Sequence, residues 1–193
     1  MATNGIDVSS FQSGVALKSF TGLDFVLAKA TEGTNVKDGM YNTWASEAEA
    51  LGVQFGAYHF FHAENLQAEK EADLFCAVAR PRDNLTLWLD YETYGESPEA
   101  DAQAIELFIS TVQLNVGVQQ KVGLYVNGTG LARVMPFRAQ LKMAALWYAD
   151  PSHPMTDQAG LIDWDVHQYE IVGGVDRNYS VWSKAKWESY AAW

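Results

Sequence analysis

Short apolar runs alternate with amphipathic helical stretches along most of this chain, and that alternation leaves few folds open. The runs are Asn4–Val8, Phe25–Ala30, Phe55–Phe61, Leu85–Glu92, Val122–Val126, Ala145–Ala149, Val166–Tyr169 and Val175–Asn178. Most are continuously apolar instead of strictly alternating, as strands buried on both faces are. Between them, Met40, Trp44, Ala48 and Leu51 share one helical face, with Gly52 placed to cap it. Ala68, Ala72, Phe75, Cys76 and Ala79 repeat that spacing, and Pro81 marks a stop. Ser97-Pro98-Glu99 supplies an N-cap, a first-turn proline and an acidic first turn. The stripe Ile105, Phe108, Ile109, Val112 and Val116 follows, closed by Gly117. Helices in these positions are the crossovers of parallel strands.

The last third changes character. Only Glu170 to Gly174 separate the last two runs, far short of the roughly dozen residues a helical crossover needs. Those runs are therefore expected as an antiparallel hairpin turning at Gly173-Gly174. The segment from Asp150 to Asp165 has two prolines and no clear helical period. The expected fold is α/β: an incomplete β/α barrel of about five β-α units followed by three strands with little helix. At 193 residues the chain is shorter than the ~250 typical of the full eightfold barrel, and missing helices account for the difference. No repeat, low-complexity tract or linker divides it, so residues 1–193 are expected as a single domain, with Cys76 as a small core residue.

Composition excludes several function classes. A net charge of −11 argues against nucleic acid as a partner, which calls for a basic patch. A single cysteine rules out an internal disulfide framework, and four histidines without His-Glu-x-x-His spacing offer no zinc site. No metal and no cofactor are expected. No apolar run approaches the ~20 residues needed to span a bilayer, so membrane insertion is not expected either. The opening Met-Ala-Thr-Asn-Gly-Ile-Asp lacks the basic and apolar stretches of a signal peptide, which leads to the expectation of a soluble protein made in the cytoplasm.

Polar residues gather at the ends of the apolar runs. Asp7 ends the first, Lys29 to Glu32 the second, and Asp90 and Glu92 the fourth; His59 lies in the third and Asp176 in the eighth. In a β/α barrel the C-terminal strand ends build the active site. Within Trp88-Leu89-Asp90-Tyr91-Glu92 the two acids share one strand face, with Cα atoms ~6.5–7 Å apart. Carboxylates held that close shift each other's protonation, and a protonated carboxyl beside an ionised one is the minimum apparatus for glycoside hydrolysis. An isolated Asp-x-Glu is equally a solvated strand end.

Here it is not isolated. Gly5-Ile6-Asp7-Val8-Ser9-Ser10-Phe11-Gln12 resembles the opening motif of glycoside hydrolase family 25, the Chalaropsis-type lysozymes. Phe25-Val26-Leu27-Ala28-Lys29-Ala30-Thr31-Glu32-Gly33-Thr34 and Gly56-Ala57-Tyr58-His59-Phe60 resemble its second and third motifs, and Asp90-Tyr91-Glu92 its acidic signature. Leu124-Tyr125-Val126, Leu146-Trp147-Tyr148-Ala149, His167-Gln168-Tyr169 and Gly174-Val175-Asp176-Arg177-Asn178 follow in the family's order. Departures are modest: Ser10-Phe11 stands where the family often has His-Trp, Tyr91 where it has a smaller residue, and Arg177 where it is often apolar. Tyr91 points away from the two acids and is expected to pack outward.

The resemblance implies a lysozyme, or muramidase, cleaving the β-1,4 bond between N-acetylmuramic acid and N-acetylglucosamine, with net retention by substrate assistance. It makes Glu92 the general acid. Asp90 either stabilises the attacking 2-acetamido group or is itself the nucleophile; the i, i+2 spacing overlaps both geometries. Asp7 and Asp176 become supporting carboxylates. Tyr58, Tyr125, Trp147, Gln168 and Lys29 are candidate substrate-binding residues; the aromatics equally suit a core, and Lys29 equally suits an ion pair with Glu32 at the barrel rim. His59 is expected as a buried, hydrogen-bonded histidine. The implied partner is cell-wall peptidoglycan, met by a monomer without a separate wall-binding module. A phage endolysin released by a holin, or a secreted enzyme whose leader has been removed, fits that role. A chitinase-like glycosidase and a non-catalytic wall-binding module on the same scaffold are the alternatives.

Overall fold

The computed structural model describes residues 1–79, 85–151 and 164–191. Among the described residues nine strands run β1 (Thr3–Val8), β2 (Phe25–Glu32), β3 (Val36–Lys37), β4 (Gln54–His62), β5 (Leu85–Thr93), β6 (Val122–Asn127), β7 (Ala145–Ala149), β8 (Val166–Val172) and β9 (Val175–Ser180). Five α-helices accompany them: α1 (Tyr41–Leu51), α2 (Ala68–Ala79), α3 (Pro98–Val116), α4 (Gly128–Val134) and α5 (Lys184–Ala191). β1 pairs with both β2 and β9, so eight strands close into a barrel-like ring, with β3 attached beside β2. Within the ring every neighbouring pair from β1 through β8 is parallel, whereas β9 is antiparallel to both its neighbours and β3 to β2.

The local signals act where the sequence puts them. Gly52 caps α1 at φ 66°, and the Ser97 side chain accepts the Ala100 N–H at the start of α3. Gly173 and Gly174, at φ 62° and 79°, make the two-residue turn that joins β8 to β9 as the expected hairpin. β1 is followed only by short 3-10 turns and α5 comes after β9, so four α-helices, α1 to α4, cross between parallel strands among the described residues, where about five β-α units were expected. Pro81 and most of the proline-bearing segment between Asp150 and Asp165 lie outside the described residues. Among the described strands and α-helices, three have no named counterpart in the sequence reading: β3, α4 and α5. Cys76 is half-buried, at the edge of the α2 face and not within it.

Two hydrophobic layers result. Between strands and helices lie Ile6, Val26, Leu87, Leu89, Leu124 and Val126 with Trp44, Phe75 and Phe108. Inside the ring lie Phe25, Leu27, Trp88 and Trp147, joined by Trp182, Trp187 and Tyr190 at the N-terminal end of the strands. Trp88 is fully buried, its ring centroid 5.8 Å from that of Tyr190 and 5.9 Å from that of Trp147. Its size is accommodated on both flanks by glycine. A Cβ at Gly123 would lie 2.3 Å from Trp88 ring carbons, and one at Gly56 would lie 2.4 Å from Leu27 Cδ2. Gly123→Ala is therefore expected to lower stability by about 1–3 kcal/mol through overpacking. A denaturant melt of the variant reads this, and an unchanged midpoint would mean the Trp88 ring has room to move.

Candidate active site

Strand alternation decides which side chains enter the barrel. On β5, Trp88, Asp90 and Glu92 point inward, while Leu87, Leu89 and Tyr91 join the outer layer. Tyr91 is fully buried there, its hydroxyl donating to Asp101 on α3, so it packs outward as expected. Asp90 lies beside Tyr125 of β6, and Asp7 of β1 lies directly opposite Asp176 of β9. All four carboxylates thus meet at the C-terminal end of the parallel strands, above the aromatic floor.

Hydrogen bonds fix one corner of this cluster. Asp7 Oδ2 accepts from Gln168 Nε2 at 2.8 Å and from Asn178 Nδ2 at 2.7 Å. The amide oxygens are occupied in turn: Tyr125 Oη donates to Gln168 Oε1 at 3.1 Å, and Trp147 Nε1 to Asn178 Oδ1 at 2.8 Å. Both amides must therefore present N–H to Asp7. Tyr125 Oη also stands 3.5 Å from Glu92 Oε1, at the limit of a hydrogen bond. Asp90 is buried, and its Oδ1 has no hydrogen-bond partner among the described residues.

Burial governs the protonation of all four. Desolvation, then the repulsion of Asp176, pushes Asp7 up to about 7 despite its two hydrogen bonds. Desolvation and the neighbouring Glu92 and Asp7 raise Asp90 well above the ordinary carboxylate range. Glu92 is half-buried and raised chiefly by desolvation, against the lowering effect of its hydrogen bonds with Tyr125 and Asn127. Asp176, also half-buried, is raised by desolvation. A group of carboxyls at the mouth of a pocket thus retains protons at pH values where free ones have lost them.

The remaining expected residues divide. Tyr58, Tyr125 and Gln168 border the carboxylates; Trp147, 2% exposed and bonded to Asn178, belongs to the floor. Lys29 pairs with Glu32 and lies 4.7 Å from the Phe60 ring centroid, and its charge still reaches Asp90 and Glu92. His59 sits apart behind the strands, bonded to Thr31 at 2.7 Å and Glu71 at 2.9 Å. Sequence reasoning gave no role to Asn178 or Asn127, although both sit next to acids already singled out. A polar residue directly after the apolar run Val122–Val126 was the available signal for Asn127. Among the described residues no group of three or more His, Cys, Asp or Glu side chains could hold a metal ion.

The family model for glycosyl hydrolases family 25 matches residues 6–176. The chain belongs to this family. Lysozyme M1 of Streptomyces globisporus is 38% identical over 87 residues, which are 43% of this chain and 30% of that protein. The chain spans less than half the length of the curated relatives it matches. Among solved structures, the bacterial lysozyme from Streptomyces coelicolor superposes with a TM-score of 0.80 at 26% identity, covering 99% of this chain and 97% of that one. The muramidase from Trichobolus zukalii gives a TM-score of 0.84 at 22% identity, covering 98% and 99%, a likeness of fold.

The raised acids of this family 25 site make stability depend on pH. Unfolded, Asp7 ionises near 3.8; folded, it ionises near 7. Between those values the folded state holds more protons, so this contribution to stability is full below about pH 4 and is lost as pH rises to about 7. Asp7→Asn keeps an acceptor for both amides and removes the charge. It is expected to gain roughly 2–4 kcal/mol over wild type at pH 8 and nothing below pH 4, read from urea melts at both pH values. Equal stabilities at pH 8 would mean that Asp7 is ionised without cost.

Proposed function

We propose that this protein is a peptidoglycan hydrolase that cleaves the β-1,4 bond between N-acetylmuramic acid and N-acetylglucosamine, with net retention through the substrate's own acetamido group. The observation that carries this reading is the inward pair Asp90 and Glu92, both held toward their protonated forms by desolvation at the mouth of a family 25 barrel. The lysozyme names of its relatives support the same substrate. The barrel is the flattened, incomplete kind implied by the sequence motifs, and the single domain acts as a monomer at the bacterial cell wall.

Glu92 is the general acid. Half-buried, it holds its proton more tightly than a free carboxyl does and delivers it to the glycosidic oxygen as that bond breaks. The 2-acetamido oxygen attacks the anomeric carbon, and the acetamido N–H is held by Asp90, whose Oδ1 has no partner among the described residues. Glu92, now ionised, takes a proton from water as it opens the cyclic intermediate. Asp7 and Asp176 add negative charge that raises the proton affinity of the set, while Tyr58, Tyr125, Gln168 and Lys29 line the sugar path over Trp147.

Purified peptidoglycan tests the reaction: new reducing ends on N-acetylmuramic acid support it, whereas cleavage of chitin alone, or wall binding without cleavage, would sink it. Glu92→Gln is expected to lose at least ~10²-fold in kcat with substrate affinity nearly unchanged. Retention of more than about a tenth of wild-type turnover would assign the acid elsewhere. Proton transfer and acetamido assistance need no Lewis acid, so turnover is expected to be unchanged by EDTA. A loss restored by one divalent ion would overturn that expectation.

A further inference from the structure

Asn127 is the last residue of β6, one step beyond the register pairs Asp90–Tyr125 and Tyr91–Val126. Alternation therefore turns its side chain to the face that carries Tyr125 and brings it beside Glu92. Its amide oxygen is fully engaged from behind: Gly130 N–H donates to Oδ1 at 2.9 Å, and Tyr94 Oη donates to it at 2.8 Å. With both donors on the oxygen, the nitrogen is the atom left to face the acid, and the amide lowers the proton affinity of Glu92.

The support behind this amide is unusually firm. Arg133 lies 5.3 Å from the Tyr94 ring centroid and donates to Gly95 O at 3.0 Å, while its Nε donates to the buried Asp101 Oδ2 at 2.7 Å. Asp101 Oδ1 accepts Gly95 N–H at 2.8 Å, so one ion pair grips both the N–H and the C=O of Gly95, next to Tyr94. A Cβ at Gly95 would stand 2.6 Å from Asp101 Oδ1, so the grip depends on glycine there.

We propose that Asn127 is a positioning residue for Glu92: it donates one hydrogen bond to the carboxyl, and Tyr94 and Gly130 fix the direction from which that bond comes. This rests on the reading of Glu92 as general acid. The bond favours ionised Glu92 and so moderates the rise imposed by burial. The other groups acting there are Asp90 on the same strand, Asp7 on β1, Asp176 on β9, Lys29 on β2, Tyr125 on β6 and Tyr94 in the loop after β5. Lys29, Tyr125 and Asn127 oppose the raised proton affinity. Removing Asn127 from that small group should be felt.

Two variants test this on the intact chain. Asn127→Asp keeps the acceptor for Gly130 and Tyr94 but turns a second carboxylate oxygen toward Glu92. Asn127→Ser keeps a helix-start acceptor and is too short to reach the acid. Carboxyl ¹³C NMR titration of Glu92 is expected to move upward in both, by about one pH unit or more in Asn127→Asp. The alkaline limb of the peptidoglycan pH–rate profile is expected to follow, with KM little changed. Unmoved Glu92 titrations in the two variants would overturn the proposal, and Asn127→Ser alone decides if Asn127→Asp does not fold. Moved titrations beside an active Glu92→Gln would instead uphold the hydrogen bond and reject Glu92 as the acid.

Discussion

A closed ring of eight strands has an interior that must be filled, and here it is filled with rings. Trp88 and Trp147 occupy the middle of the barrel, and Trp182, Trp187 and Tyr190 close its N-terminal end. Gly56 and Gly123 give up their side chains to make that room. These rings lie between the carboxylates and the N-terminal end of the strands. Desolvation of the carboxylates, the first cause of every raised acid in the site, follows from how the core below them is packed. Core and chemistry are consecutive layers of the same strands: on β5, Trp88 belongs to one, and Asp90 and Glu92 to the next.

Much of this was legible because the strand period is two and admits few exceptions. Asp90 and Glu92 had to share a face, and Tyr91 had to leave it. The five residues from Glu170 to Gly174 had to make a hairpin. Eight ordered motifs carried the family. What escaped depended on partners that no local pattern specifies. α5 reads as polar, with Lys184, Lys186 and Glu188 around Trp187 and Tyr190, and its buried residues acquire a purpose only against the open end of the barrel. β3 is a two-residue extension defined by β2 alone.

The amides escaped for a different reason. Asn178 and Asn127 carry no charge and are given no role by the motifs, yet each sits between an acid and a donor that fixes which end of the amide the acid meets. Their significance is directional, and direction is a property of the assembled network. Lys29 illustrates the converse. Sequence could offer it either to Glu32 or to the substrate; the structure pairs it with Glu32 while leaving its field on the acids.

Ring closure has a consequence for how the site comes into being. Asp7 receives its two amide hydrogen bonds from residues 161 and 171 positions away, because the first strand is sealed against the last. Contacts of such sequence separation are slow to form, since the loop entropy must be spent before they return anything. A nascent or refolding chain therefore acquires its helices and neighbouring strand pairs well before its carboxylates are gathered. Catalytic competence is the last thing this molecule gains, and the first it surrenders if the seam between β1 and β9 opens.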